Sequence, residues 1–423
     1  MENIIEKANY CLACKAKPCS KKGCPLNNDI PEFIKCIKDE NYEEAFKILS
    51  KTTVLQGICG RICPHMKQCQ GSCVRGIKSE PVSIGDLEAY VYDMATKQGF
   101  TLLDCYKEEI EQNKENNSKK VAIVGGGPAG LTCAAFLAKS GIKVTIYEKH
   151  SYLGGLLVHG IPEFRLPKEI VQKTVEMILD LGIEVKYNSE LNKNISLNDL
   201  TKKYDAIFLS FGANISSKMN VEGEDLEGVY GGNELLEHSL HTNYEGKIAT
   251  VIGGGNVAMD CARTIKRLGA KAVKVIYRRS REEMPAEQKE IEDAIKEGIE
   301  FLYQNNIVKI IGNKKVEKLE LIKTKLIQKQ GETRKVPVNE DGSNYIIDSD
   351  FVIMALGSKP EALVEDLGLE LDNRLHIKVN DSYQTSNKKI FAGGDIAGNM
   401  QTVAWAAMSG REAAENIIEF LTI

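Results

Sequence analysis

The chain has 423 residues, 43% of them hydrophobic and 27% charged, with a formal net charge of -4. That length exceeds one ordinary domain, the composition is that of a soluble globular protein, and near-neutrality argues against a broad nucleic-acid-binding face. The first residues, MENIIEKANYCLACK, mix charges of both signs and no run of about 18 apolar residues occurs, so neither a secretory leader nor a membrane contact is expected and the compartment reads as cytoplasmic.

Eight of the twelve cysteines form two tight sets, Cys11, Cys14, Cys19, Cys24 and Cys59, Cys63, Cys69, Cys73. Cytoplasmic thiols are kept reduced, so such spacing points to metal rather than to a disulfide framework. The spacings are Cys-x2-Cys-x4-Cys-x4-Cys-Pro and Cys-x3-Cys-x5-Cys-x3-Cys. Zinc also accepts four thiolates, but the Cys-Pro pairs at Cys24 and Cys63 resemble the end of the bacterial ferredoxin run. A redox-inert ion also has little use beside the nucleotide loops that follow, so iron–sulfur is expected. The isolated Cys36, Cys105, Cys133 and Cys261 read as core fillers. In IPEFIKCIKDENYEEAFKILSK, the residues Ile30, Phe33, Ile34, Ile37, Ala45, Phe46 and Leu49 recur at helical spacing. Residues 1–118 are expected to form a small helical 4Fe-4S domain that ends in a polar linker from Glu108 to Lys120.

KKVAIVGGGPAGLTCAAFLAKSGIKVTIYEK then reads as strand, glycine turn, helix, strand. Gly125, Gly127 and Gly130 make G-x-G-x-x-G, with Pro128 opening the helix. The first glycine permits the turn, the second lets backbone approach a pyrophosphate, and the third packs helix on strand. The helix N-terminus favours phosphate, and Glu148, 23 residues after Gly125, can accept from ribose hydroxyls. GGLLVHGIPEFRLP follows, and its Gly155, Leu156 and Arg165 are expected around an isoalloxazine, with His159 either touching the ring or serving as a satisfied loop histidine. The C-terminal IFAGGDIAGNMQTVAWAAMSG favours FAD for this first site. Gly394 and Asp395 close a strand, where the carboxylate can accept from a ribityl chain, and a helix starting near Thr402 and Val403 aims its N–H groups at the flavin pyrimidine.

KIATVIGGGNVAMDCARTIKRLGAKAVKVIYRR repeats the pattern with Gly253, Gly255, Asn256 and Ala258. Here the second strand ends in Arg278 and Arg279 instead of an acid, a pair suited to a 2′-phosphate, so NADPH is expected. The fold class read from this order is α/β, an N-terminal helical iron–sulfur domain followed by two Rossmann-like dinucleotide-binding domains. The nicotinamide domain is expected at 246–360, inserted in a flavin domain of 119–245 and 361–423. His238 and His241 read as a helix face without metal spacing.

Across nearly its whole length the sequence resembles the small, NADPH-oxidising subunit of bacterial glutamate synthase and its relatives. These include the flavoprotein subunits of dihydropyrimidine dehydrogenases and of a ferredoxin-dependent NADPH transhydrogenase. The segments that carry the resemblance are GRICPHMKQCQGSC, PVSIGDLEAYVYD, GGLLVHGIPEFRLPKEIV, IGGGNVAMDCART, YRRSREEMPA and IFAGGD. The resemblance implies FAD, NADPH and two 4Fe-4S clusters. It assigns one cluster to Cys11, Cys14, Cys19 and Glu88 and the other to Cys24, Cys63, Cys69 and Cys73, with Cys59 a neighbour. It also implies hydride transfer from NADPH to FAD and electron delivery through the clusters to a separate accepting subunit, so that the chain alone forms neither glutamate nor a dihydropyrimidine.

Overall fold

The computed structural model describes residues 4–237, 240–328, 334–398 and 400–422, which leaves His238 outside the described residues. The chain divides into two units, one of Met1–Val158, Glu163–Ala213 and Pro360–Ile423, the other of His159–Pro162 and Asn214–Lys359.

The first unit begins with short helices. The amphipathic run predicted over Ile30 to Leu49 is two helices, Ile30–Lys38 and Tyr42–Ser50, separated because the Asn41 side chain accepts from the Glu44 amide and caps the second. All seven of its periodic apolar residues are buried. Helix Gln56–Ile62 lies against Ile84–Lys97 through glycines: a Cβ on Gly60 would stand 2.5 Å from the Ala89 nitrogen, and one on Gly57 would stand 2.6 Å from the Tyr92 ring. The expected linker is packed structure. Leu102–Gln112 is a helix, and the Tyr106 hydroxyl donates to the Ser50 carbonyl. The chain then turns through Lys114–Ser118, where Asn116 donates to the Ser140 carbonyl at 3.1 Å. The polar composition reflects the solvent face of that helix, while its few apolar residues anchor it.

The same unit holds a parallel sheet with strands in the order Ile390–Ala392, Ala206–Leu209, Lys120–Val124, Lys143–Tyr147, Glu184–Lys186. Its central strands are apolar and buried because helices cover the sheet. Helix Pro128–Lys139 follows the first strand, and the C-terminal helix Val403–Thr422 packs on it so closely that a Cβ on Gly410 would lie 2.2 Å from the Ala129 carbonyl oxygen.

The second unit has its own parallel sheet, ordered Val229–Gly231, Phe351–Met354, Ile248–Ile252, Ala272–Tyr277, Glu300–Tyr303. Its first strand corrects the expected boundary at 246: residues from Asn214 onward belong to this unit. A three-residue edge strand is too short to show periodicity in sequence. Between Tyr303 and Phe351 the chain adds an antiparallel sheet of Asn305–Ile311, Lys318–Ile327, Val336–Asn339 and Tyr345–Asp348, which sequence reading had not separated from the nucleotide fold. His241 is in a loop rather than on a helix face, with Nδ1 3.2 Å from the Tyr244 hydroxyl.

The contact at Gly410 sets a test. Gly410→Ala forces a methyl toward a backbone carbonyl that cannot swing away, an overpacking cost of about 1–3 kcal/mol. Thermal unfolding followed by circular dichroism should show the melting temperature lowered by several degrees. An unchanged melting temperature would show that the two helices separate freely.

Candidate functional site

The segment Cys19–Gly23 is a single π-helical turn pressed onto the second cysteine stretch. A Cβ on Gly23 would fall 2.7 Å from the Gln68 carbonyl oxygen and 2.8 Å from the Cys69 Cα. Cys69 and Cys73 are thereby directed to different places. Cys73 lines one cavity together with Cys11, Cys14 and Cys19, walled by Pro18, Ile34 and Val82. Burial pushes the Cys19 thiol up to about 11, aided by repulsion from Cys11 and Cys73. Cys24, Cys63 and Cys69 form the other group. Burial pushes Cys24 up to about 12, and Cys69 rises for the same reason. Cys63 is raised by its hydrogen bond with Cys59 and then by burial. Glu88 repels the charged form of all three.

Glu88 is itself buried, 5% exposed, which pushes its carboxyl to about 8. Its Oε1 faces Asn28 Nδ2 at 3.5 Å. The close approach of Gly60 to Ala89 puts it there, since Glu88 is the preceding residue on the helix and Cys63 follows Gln56–Ile62 directly. The structure therefore exchanges two members of the expected sets: Cys73 sits with Cys11, Cys14 and Cys19, and Glu88 sits with Cys24, Cys63 and Cys69. Burial opposes the charged forms of Cys19, Cys24, Cys63, Cys69 and Glu88, and four thiols in one group and three thiols with a carboxyl in the other fit a cationic metal centre that would neutralise them.

In the same unit, Gly125 has φ +101°, and a Cβ there would stand 2.7 Å from Phe211 backbone, so only glycine fits. A Cβ on Gly130 would meet the Gly125 carbonyl oxygen at 2.0 Å, whereas Gly127 faces open space, as a backbone that receives a pyrophosphate requires. Pro128 occupies the first turn of its helix. The buried Glu148 carboxylate accepts from the amides of Gly126 at 2.8 Å and His150 at 2.9 Å, so it braces the loop it was expected to serve, and each oxygen keeps a lone pair for a ribose hydroxyl. Gly155, φ +53°, lies beside Gly127, and Leu156 opens the short helix Leu156–His159. Arg165 is half-buried in the loop before Lys168–Leu179. His159 has Nε2 3.9 Å from a Glu237 carboxylate oxygen within the second unit.

Gly394, φ +71°, donates its amide to Ser409 Oγ at 2.8 Å, a contact that motif reading missed because Ser409 is one small residue in an alanine-rich helix. Burial pushes Asp395 up to about 6, and His376 opposes that rise. Thr402 Oγ1 accepts from the Trp405 amide at 3.4 Å, capping the helix that begins at Val403.

The second loop repeats the geometry. Gly253 has φ +140° and would place a Cβ 2.1 Å from the Ala355 carbonyl oxygen, while Gly255 faces open space. Asn256 starts helix Asn256–Arg267, and its side chain accepts from the Glu287 amide at 3.0 Å; Ala258 is fully buried. Arg278 is exposed, and Arg279 Nε donates to the Lys335 carbonyl at 3.3 Å. Arg334 joins them, its Nη2 donating to the Tyr277 hydroxyl at 3.1 Å. No spacing in the sequence announces this third guanidinium, which arrives from the antiparallel insertion.

Residues 119–410 match the pyridine nucleotide-disulphide oxidoreductase family, and residues 1–100 match dihydropyrimidine dehydrogenase domain II, 4Fe-4S cluster. The small chain of NADPH glutamate synthase from Escherichia coli is 36% identical, with 99% of this chain and 91% of that protein aligned. The chain belongs to that glutamate synthase small-chain family. The beta subunit of an NADP(+)-dependent formate dehydrogenase from Moorella thermoacetica is 37% identical over 96% of this chain but only 60% of its own length. Mycobacterium tuberculosis FprA, solved in complex with NADPH, has a TM-score of 0.64 at 19% identity over 72% of this chain and 85% of its own, which is a likeness of fold. Membership makes this chain a pyridine-nucleotide-dependent oxidoreductase with FAD and 4Fe-4S iron–sulfur content. Among the described residues no helix is long and apolar enough to cross a membrane.

Asp395 gives this family member a measurable pH signature. With its pKa raised to about 6, the folded apoprotein holds a proton that the unfolded chain gives up near pH 4, so stability is greatest below that range and is lost as pH rises through 6. Asp395→Asn should therefore stabilise FAD-free protein at pH 7.5 by up to roughly 3 kcal/mol in urea unfolding, with the gain vanishing near pH 4. A gain independent of pH would refute the raised pKa of this partly buried carboxylate.

Proposed function

We propose that this chain is the NADPH-oxidising subunit of a larger reductase. NADPH binds at Gly253, Gly255 and Asn256, FAD at Gly125, Gly127, Pro128, Gly130, Glu148 and Asp395, and electrons leave through two 4Fe-4S centres to a separate protein subunit. The observation that carries this reading is the division of the thiols into two groups in the same unit as a flavin-type glycine loop. When bound, FAD converts a two-electron hydride into single electrons and the 4Fe-4S centres carry them one at a time.

The chain's own residues position these groups. The Gly127 and Gly255 faces leave room for pyrophosphate, and the amides opening Pro128–Lys139 and Asn256–Arg267 favour its charge. Arg278 and Arg279, with Arg334 beside them, favour a 2′-phosphate over a bare ribose. Cys11, Cys14, Cys19 and Cys73 hold one centre. Cys24, Cys63, Cys69 and Glu88 hold the other, a reading supported by the buried Glu88 carboxyl, which acts on all three of those thiols. Arg411 ties this second group to the flavin's C-terminal helix, its Nη1 donating to the carbonyls of Leu26 at 2.8 Å and Thr52 at 3.0 Å.

Iron analysis of double variants tests the partition. Protein purified without oxygen should hold about eight irons per chain. Cys11→Ala with Cys73→Ala strikes one centre and should leave about four, whereas Cys24→Ala with Cys73→Ala strikes both and should leave almost none. The reverse pattern would restore the partition implied by the resemblance. Glu88→Ala should halve the iron while Cys59→Ser keeps it.

Cofactor choice is tested kinetically. Arg278→Ala with Arg279→Ala removes charge-assisted bonds of roughly 1.5–3 kcal/mol each, so kcat/KM for NADPH should fall by about two to four orders of magnitude while that for NADH barely moves. Equal efficiency with both coenzymes before mutation would defeat the assignment.

A further inference from the structure

The cysteine-bearing stretches hold a pronounced charge asymmetry. Residues 11–28 contain Lys15, Lys17, Lys21 and Lys22, and residues 59–79 contain Arg61, Lys67, Arg75 and Lys78, with no Asp or Glu in either. Setting these eight cations aside from totals of 55 basic and 59 acidic residues leaves 47 against 59, a net of -12 for the rest of the chain. The two stretches are packed together, as the contact of Gly23 with Gln68, Cys69 and Ser72 and the shared cavity of Cys11, Cys14, Cys19 and Cys73 require.

Some of these cations are engaged. Lys17 pairs with Asp29 at 2.6 Å, Arg61 pairs with Asp93 at 2.7 Å, and Arg75 covers the Tyr10 ring. Lys15, Lys21, Lys22 and Lys78 are exposed and form no ion pair among the described residues. Large apolar side chains stand among them: Leu12 is 50% exposed, Met66 54% and Ile77 76%. Leu12 and Val74 also line the cavity of the first thiol group. Exposed apolar residues rimmed by uncompensated lysines have the makeup of an interface that steers an oppositely charged protein and then excludes water.

We propose that this face docks an acidic electron-transfer protein, and that the centre held by Cys11, Cys14, Cys19 and Cys73 is the exit for electrons. The proposal rests on the reading that those thiols hold a 4Fe-4S centre. A compact acidic face fits better than an extended polyanion, because the negative remainder of the chain repels any ligand that reaches past the patch. At each event one electron leaves the reduced centre and reduces the acceptor; no bond or atom is transferred, and NADPH supplies the electrons.

The test compares two protein acceptors of opposite charge, a small acidic [2Fe–2S] ferredoxin and basic cytochrome c, with the neutral quinone menadione as a measure of the flavin half. In the full chain, changing Lys15, Lys21, Lys22 and Lys78 to Glu should lower NADPH-driven ferredoxin reduction at least ten-fold at low salt and raise cytochrome c reduction. Iron content and menadione rate should hold. Raising ionic strength should slow ferredoxin reduction by the unmutated protein. The milder Lys21→Gln with Lys22→Gln should show the same directions if the fourfold variant folds poorly. A ferredoxin rate indifferent to salt and to these substitutions, in protein with full iron, would overturn the docking proposal alone. Absence of iron in the unmutated protein would overturn the cluster reading beneath it. Binding of duplex RNA or anionic vesicles without salt-sensitive ferredoxin reduction would also overturn the docking assignment.

Discussion

Two helices of the first unit meet backbone to backbone: with a Cβ, Gly410 would stand 2.2 Å from the Ala129 carbonyl oxygen. Such an approach is open only to glycine, and it fixes Val403–Thr422 against Pro128–Lys139. The helix that opens on the first glycine loop and the helix that opens at Val403 thus become one rigid pair. Ser409, one residue before the contact, holds the Gly394 amide, and Arg411, one residue after it, holds the carbonyls of Leu26 and Thr52. Three consecutive residues therefore carry the helix packing, the strand end that bears Asp395, and the loop that leaves Cys24.

The second thiol group depends on another close approach of the same kind. Gly57 and Gly60 admit helix Ile84–Lys97 to van der Waals distance, and Glu88 is thereby delivered to Cys24, Cys63 and Cys69. Burying a carboxyl among thiols is unfavourable for every charged form, which is why Glu88 rises to about 8 and the thiols rise with it. A cationic centre bound there would reverse that balance.

In the second unit the same loop geometry serves a different chemistry. Gly253 and Gly255 repeat the roles of Gly125 and Gly127, but the strand end is basic, and the antiparallel insertion brings Arg334 to the Tyr277 hydroxyl. The buried Arg263 pairs with Glu290 and Glu297, locking helix Asn256–Arg267 to Gln288–Lys296.

Local features were legible from the residues alone. Both G-x-G loops, the strands and helices flanking them, the amphipathic helices of the cysteine region, and the chemical suitability of eight clustered thiols for metal depend on neighbours a few positions apart, where periodicity and turn stereochemistry act directly. The linker was misjudged because a helix with one buried face and a polar remainder looks unstructured in composition. The domain boundary was placed late because an edge strand of three residues carries no pattern of its own. The grouping of the thiols was beyond sequence spacing altogether: Cys69 and Cys73 are four residues apart, yet Cys73 lines the cavity of Cys11, Cys14 and Cys19 while Cys69 neighbours Cys24 and Glu88, and Gly23 is wedged against the turn between them. The sequence by itself determined which groups can bind nucleotide and metal. The tertiary structure decided which of them share a pocket, because that depends on how closely glycine-bearing segments distant in the chain can approach one another.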